Sequence, residues 1–386
     1  MAPIRTAIVG LSSSAKTSWA SNAHLPYLLS PLGRSKYQIV ALQNSSVEAA
    51  RKAIAHYKLP SETKAYGTSE DLAADKDIDL VVVATRVDVH HSNALPVVKS
   101  GKAVFVEWPL AQDVEHAKEL VDAAKENNVK TLVGLQGRLA PPVVKIRELL
   151  SEGRIGKVLS SELHAAGGTN DRDILPSTLQ YFTQRAIGGN TFTIGLGHIF
   201  DSFQSILGDV TDIKSRLYSQ RPNVRIRDAT TNEIIDRVAT DVPDITFATG
   251  TLKESQTVQK GAAVSIRFRG GQPFPGEPPL VITINGEKGE IRLRGFGGTA
   301  LNASGYSKPV NIEFHDFETD TVEEVEWKWY DWQEENDIPI IGRSIAAIYE
   351  QFANGGGEQL VSFSEALKRH EQLEGMLKQW DTEKSH

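Results

Sequence analysis

Over the first 140 residues, short apolar runs alternate with amphipathic stretches, and this alternation is the strongest constraint the chain places on its fold. Ile4 to Leu11 reads as a strand, Trp19 to Leu29 as a helix, Tyr37 to Gln43 as a strand and Val47 to Tyr57 as a helix. Leu80 to Ala84 then reads as a buried strand, Asn93 to Lys99 as a helix, and Ala103 to Val106 and Thr131 to Leu135 as two more strands. Between those last two, Val114 to Asn127 repeats its apolar residues at helical spacing. Parallel strands must be joined by crossovers of a dozen residues or more, which are usually helical, so the pattern predicts a doubly wound α/β Rossmann domain over residues 1–140.

After Pro141-Pro142 the texture changes. A helix is expected over Val143 to Glu152, followed by a glycine-bearing turn at Gly153 to Gly156. Strands are then expected at Val158 to His164, Thr211 to Leu217, Asp244 to Thr251, Gly261 to Arg269, Leu280 to Gly286, Glu290 to Arg294, Asn311 to Asp316 and Val322 to Trp329. Ile340 to Gln379 reads as two helices around Gly355-Gly356-Gly357, with Ser362 or Ser364 capping the second. Residues 141–386 are therefore expected to form a C-terminal α+β domain around a large, mainly antiparallel open sheet.

Composition narrows the chemistry. A chain of 386 residues exceeds what one core usually holds, in keeping with two domains. With no cysteine it has no disulfide, thiolate nucleophile or sulfur-ligated zinc, so redox work would need a bound cofactor. The 42 basic and 49 acidic residues are spread along the chain, for a net charge of −7, which argues against direct nucleic-acid binding. No apolar run reaches the roughly 18 residues of a membrane span, and a soluble intracellular protein is expected.

The loop after the first strand, Gly10-Leu11-Ser12-Ser13-Ser14-Ala15, sits where a dinucleotide's pyrophosphate needs a tight turn and a helix N-terminus. Gly10 holds the first glycine position of G-x-G-x-x-G; Ser12 and Ala15 hold the second and third. The serine hydroxyls can contact phosphate or merely cap the next helix. At the end of the second strand, an acid gripping a ribose 2′-hydroxyl marks NAD. Here the residues are Leu42-Gln43-Asn44-Ser45-Ser46, with Arg51 and Lys52 following, which favours NADP over NAD and makes Ser45 and Ser46 phosphate contacts or helix caps.

The runs Thr85-Arg86-Val87-Asp88-Val89-His90, Gly101 to Ala111 with its Glu107-Trp108-Pro109, and Leu135-Gln136-Gly137-Arg138 resemble the GFO/IDH/MocA oxidoreductase family. Gly153-Arg154-Ile155-Gly156, Gly197-His198-Ile199-Phe200-Asp201 and Gly286-Glu287-Lys288-Gly289 follow in the expected order. Within that family the chain looks most like the branch containing the yeast galactose-regulon repressor. The resemblance implies that Thr85, His90, Glu107, Trp108 and Arg138 lie at the cofactor, the alternatives being a capped strand end for Glu107 and an ordinary ion pair for Arg138. It also implies dimers through the open sheet. The segment Val325 to Trp332 is expected to continue its strand with Trp327 and Trp329 on one face.

Hydride transfer to a carbonyl or imine needs a proton-exchanging group beside the nicotinamide. The family's lysine of E-K-P is Trp108 here, and its aspartate, four before His198, is Ile194. Trp108 can donate a hydrogen bond but cannot titrate usefully. His198 remains as the acid/base, or as a structural histidine steadied by Asp201. Two readings stay open, both with NADP. In one, His198, Glu107 and Trp108 form the catalytic end of an oxidoreductase for a small carbonyl, imine or sugar-like molecule. In the other, a cytoplasmic or nuclear regulator takes a transcription-activator peptide.

Overall fold

The apolar runs of the first domain assemble as the alternation predicts. In the computed structural model, which describes residues 2–15, 18–167 and 171–384, they form β1 (Ile4–Val9), β2 (Tyr37–Gln43), β3 (Lys64–Tyr66), β4 (Leu80–Val83), β5 (Ala103–Glu107) and β6 (Thr131–Gly134). All pairs are parallel and the order is β3-β2-β1-β4-β5-β6. Leu80 to Val83 are 0% exposed, as expected of a central strand covered on both faces. The order reverses between β1 and β4, which places the crevice for a ligand at the C-terminal ends of those strands.

Helical segments connect these strands. A π-helical turn over Ala20–His24 leads into α1 (Leu25–Leu29), followed by α2 (Pro31–Lys36), α3 (Val47–His56), α4 (Ser69–Ala74), α5 (His90–Lys99) and α6 (Val114–Glu126). β3, α2 and α4 are too short to show a period in the sequence. α5 begins at His90, three residues before the expected Asn93.

The chain separates into two compact units that are not contiguous. Met1–Gln136 joins Trp329–Glu371, and Gly137–Lys328 joins Gln372–His386. The expected boundary, with everything after residue 140 in one second domain, is corrected at 329–371, and the reason is packing. The Val133 N–H donates to the Val361 carbonyl at 2.8 Å, extending the β6 edge, and the Tyr37 hydroxyl donates to the Tyr349 carbonyl at 2.6 Å.

The second unit carries α7 (Pro141–Ser151), β7 (Val158–Ala166), β8 (Ile174–Pro176), α8 (Gly197–Leu207), β9 (Val210–Tyr218), β10 (Asn223–Arg227), β11 (Ile234–Ala239), β12 (Ile245–Leu252), β13 (Val258–Arg269), β14 (Leu280–Gly286), β15 (Gly289–Gly295), β16 (Val310–Asp316) and β17 (Thr321–Val325). An eight-stranded sheet runs β17-β16-β15-β14-β7-β13-β12-β9, antiparallel except for β7 with β13. β8, β10 and β11 form a separate small sheet that the sequence reading did not include. Phe200 and Phe203 on α8 are 0% exposed and anchor this unit's core.

The expected strand Val322 to Trp329 ends at Val325. Trp327 and Trp329 therefore do not share a strand face. The Trp327 indole donates to the Val310 carbonyl at 2.8 Å, and Trp329 lies under the Arg343 guanidinium at 5.2 Å. The chain ends with α9 (Asp331–Glu335), α10 (Ile340–Ala353) and α11 (Phe363–Lys384). Ser362, rather than Ser364, caps α11: its Oγ accepts from the Glu365 N–H at 3.3 Å, and Glu365 accepts from the Ser362 N–H at 3.0 Å. Among the described residues, no helix is long and apolar enough to cross a membrane.

Candidate dinucleotide site

The turn after β1 is set by Gly10. Its φ is +98°, and a Cβ there would lie 2.5 Å from the Ala84 carbonyl oxygen and 2.8 Å from Thr85 Cγ2. Only glycine allows this turn to pass so close to the end of β4. The Gly10 N–H donates to the Gln43 carbonyl at 3.0 Å, which seats the loop between the ends of β2 and β4. Beyond it, the Asn44 amide holds the Leu11 carbonyl at 3.0 Å and the Tyr57 hydroxyl holds the Ser12 carbonyl at 2.9 Å. Ser12 Oγ accepts from the Ser14 N–H at 3.2 Å and lies 3.1 Å from Ser14 Oγ, while Ser13 is half-buried and Ala15 exposed.

At the end of β2, Gln43 turns inward, its amide donating to Ser69 Oγ at 2.8 Å and to Asn93 at 3.0 Å. Ser46 caps α3, accepting from the Ala49 N–H at 3.1 Å. Glu48, its carboxyl held below the usual range by its own backbone N–H and by Ser46, belongs to the same cap. Ser45, Arg51 and Lys52 are exposed beside it. Of the two serines expected as phosphate contacts or helix caps, Ser46 is the cap of α3 and Ser45 is exposed.

The other half of the crevice lies over β4, β5 and β6. Glu107 ends β5, only 8% exposed, and its carboxylate lies over Gly134 of β6, where a Cβ would come within 2.4 Å of it. Glu107 Oε1 is 2.9 Å from Nε2 of His24, a fully buried histidine whose Nδ1 is 2.8 Å from the Tyr349 hydroxyl. Trp108 is 4% exposed and packs against His370 with ring centroids 4.7 Å apart. Burial lowers the His370 pKa to about 4, which keeps that ring neutral near pH 7. His90, 1% exposed, spans the Pro109 carbonyl at 2.8 Å and the Thr85 carbonyl at 3.0 Å. Burial lowers its pKa as well, and a neutral ring donates to one of these two carbonyls.

Buried polar atoms without partners are rare in folded proteins. Among the described residues such atoms follow three strands of this sheet: Trp19 Nε1 after β1, Thr85 Oγ1 after β4, and both amide atoms of Gln136 after β6, a residue 1% exposed. They offer a donor, a hydroxyl and a primary amide in the segments that follow β1, β4 and β6. Together with the Gly10 turn, these residues fit such a cofactor.

In the second unit, Arg138 and Asp201 are joined at 2.9 and 2.8 Å. Arg138, expected at the cofactor, spends its guanidinium on this carboxylate, and Asp201, expected to steady His198, holds Arg138. His198 lies half-buried in the first turn of α8, and Ile194 lies in the π-helical turn before it. His24, Tyr349, Gln136 and His370 were not singled out from sequence as site residues. The available signal was a histidine inside the apolar stretch Ala20 to Leu29, which in a buried helix must find a partner.

Comparison with known proteins agrees with this geometry. The family model described as an oxidoreductase family with an NAD-binding Rossmann fold matches residues 4–135, and the model of the Gal80p C-terminal domain matches residues 141–295. The chain is 32% identical to the galactose/lactose metabolism regulatory protein GAL80 of Saccharomyces cerevisiae over 307 residues, covering 78% of this chain and 68% of that protein. It is 30% identical to the dehydrogenase aclE of Aspergillus oryzae over 377 residues, covering 97% of this chain and 95% of that one. The crystal structure of a super-repressor mutant of Gal80p from Saccharomyces cerevisiae superposes with a TM-score of 0.84 at 27% identity, covering 99% of this chain and 97% of that one. An NAD-binding Rossmann sheet followed by a Gal80p-type second domain makes this chain a member of the GFO/IDH/MocA oxidoreductase family.

Proposed function

We propose that the protein is an NADP(H)-dependent oxidoreductase acting on a small carbonyl, imine or sugar-like molecule. The observation that carries the reading is the line of unpartnered buried polar groups, Trp19, Thr85 and Gln136, over a sheet whose first turn is built around Gly10. Similarity to a dehydrogenase over 97% of the chain supports it. Ser45, Arg51 and Lys52, with no acid at the end of β2, suit a 2′-phosphate better than a free 2′-hydroxyl.

When bound, the cofactor supplies or takes the hydride. The chain's residues do the rest. Gly10 admits the pyrophosphate to the backbone of the turn. Gln136 would offer its amide, a donor and an acceptor, to the cofactor. Glu107 and Trp108, the latter in the position of the family's lysine, would stand at the ring end of the crevice, and His198 is the residue assigned to proton exchange. The open face of the eight-stranded sheet, with Phe247 47% and Tyr218 36% exposed, is read as the homodimer surface.

A test is to identify by mass spectrometry any small molecule that co-purifies, and then to follow NADPH absorbance in a single turnover with that molecule. Oxidation of the cofactor that His198→Ala abolishes supports the enzyme. One observation favours a second reading: Trp108, in the lysine position, is buried against a neutral His370 and cannot exchange protons. A dinucleotide-binding regulator that takes a transcription-activator peptide suits that arrangement, and tight peptide binding with no turnover of NADPH would establish it instead.

A further inference from the structure

The contacts of Glu107 are more elaborate than a strand end requires. Gly134 leaves the space that its carboxylate fills, and His24, 0% exposed, meets it at 2.9 Å. His24 is fixed in turn by the Tyr349 hydroxyl at 2.8 Å and walled in by the rings of Phe105 at 5.3 Å and Tyr349 at 5.8 Å. Burial raises the Tyr349 pKa well above its ordinary value, so its hydroxyl keeps its proton beside Nδ1. The chain Tyr349 to His24 to Glu107 pins one carboxylate oxygen.

The cofactor reading places the nicotinamide over β4, β5 and β6, because the turn at Gly10 takes the phosphates and the end of β2 takes the adenine-side ribose. Glu107 terminates β5 within that half. An oxidised nicotinamide ring carries a positive charge and a reduced one does not. We infer that His24 and Tyr349 are positioning residues that hold the Glu107 carboxylate beside the ring, so that the site binds the oxidised cofactor more tightly than the reduced one. The inference rests on the cofactor reading above and adds a redox preference to it.

Calorimetric titration of the full chain with NADP+ and with NADPH tests it, the quantity read being the ratio of the two dissociation constants. The intact protein should bind NADP+ more tightly. Glu107→Gln should reduce that preference by about tenfold, the size expected for one charge a few ångströms away in a partly screened site. Tyr349→Phe, which keeps the ring stacked on Tyr27 at 5.4 Å, should remove part of the preference while both forms still bind. A merely structural role for Tyr349 would weaken both forms equally and leave the ratio unchanged. If both forms bind with a ratio that neither substitution alters, the inference fails and the cofactor reading stands. If neither form binds, both fail.

Discussion

Arg138 and Asp201 form a two-pronged ion pair, at 2.9 and 2.8 Å, with side chains 7% and 1% exposed. The pairing is the ion pair that the sequence left open as the alternative role of Arg138. Removing one partner leaves the other's charge buried without its counterpart. Asp201→Ala should cost about 3–5 kcal/mol in chemical denaturation of the full chain. Replacing both with apolar residues of similar volume should recover most of that loss, which a double-mutant cycle would read directly.

Gly10→Ala should weaken dinucleotide binding at least about tenfold and also destabilise the protein, because a methyl group meets the Ala84 carbonyl at 2.5 Å on a backbone with φ of +98°. Binding titration together with thermal unfolding separates the two effects. An alanine variant that binds with unchanged affinity would show that the turn does not touch the cofactor.

Ser46→Ala should cost about 1 kcal/mol of stability, the usual loss for an N-cap, since its Oγ takes the Ala49 N–H at 3.1 Å. Its NADP-to-NAD affinity ratio should stay that of the intact protein. Ser45→Ala should do the reverse, leaving stability unchanged and lowering the ratio.

His370 makes stability depend on pH in a definite direction. Its folded pKa is about 4 against about 6.5 unfolded, so between these values the unfolded chain binds more protons and stability falls as pH is lowered. The loss should total about 3 kcal/mol over the window from pH 6.5 to 4. Asp75, lowered to about 2 with its Lys64 and Tyr66 partners, loses its contribution only below that window. Denaturation midpoints of the protein and of His370→Asn, compared from pH 7 to pH 4.5, should differ in slope. Equal slopes would contradict the burial of this ring in neutral form.

Much of the fold was legible because period and burial agree. Leu80 to Val83 can only be a covered strand, and Val114 to Glu126 repeats at helical spacing. The return of residues 329–371 to the first unit was not legible, because it depends on Tyr37, Tyr27 and Val133 meeting residues more than two hundred positions away. Trp327 and Trp329 misled because alternation of aromatic and charged residues mimics a strand, whereas here each ring finds its own separate partner. At the site, the tight turn at Gly10 could be read from a glycine directly after the first strand. The His24 and Tyr349 support for Glu107 could not, since its members come from three distant segments and each alone looks like core.

The central claim is that the first unit holds a dinucleotide and prefers the one with a 2′-phosphate. Titrating the full-length protein with NADP+ and with NAD+ under identical salt and pH measures this directly. The account predicts saturable binding of both, tighter for NADP+, with the difference reduced by Arg51→Ala. Binding of neither dinucleotide, or tighter binding of NAD+, would contradict it.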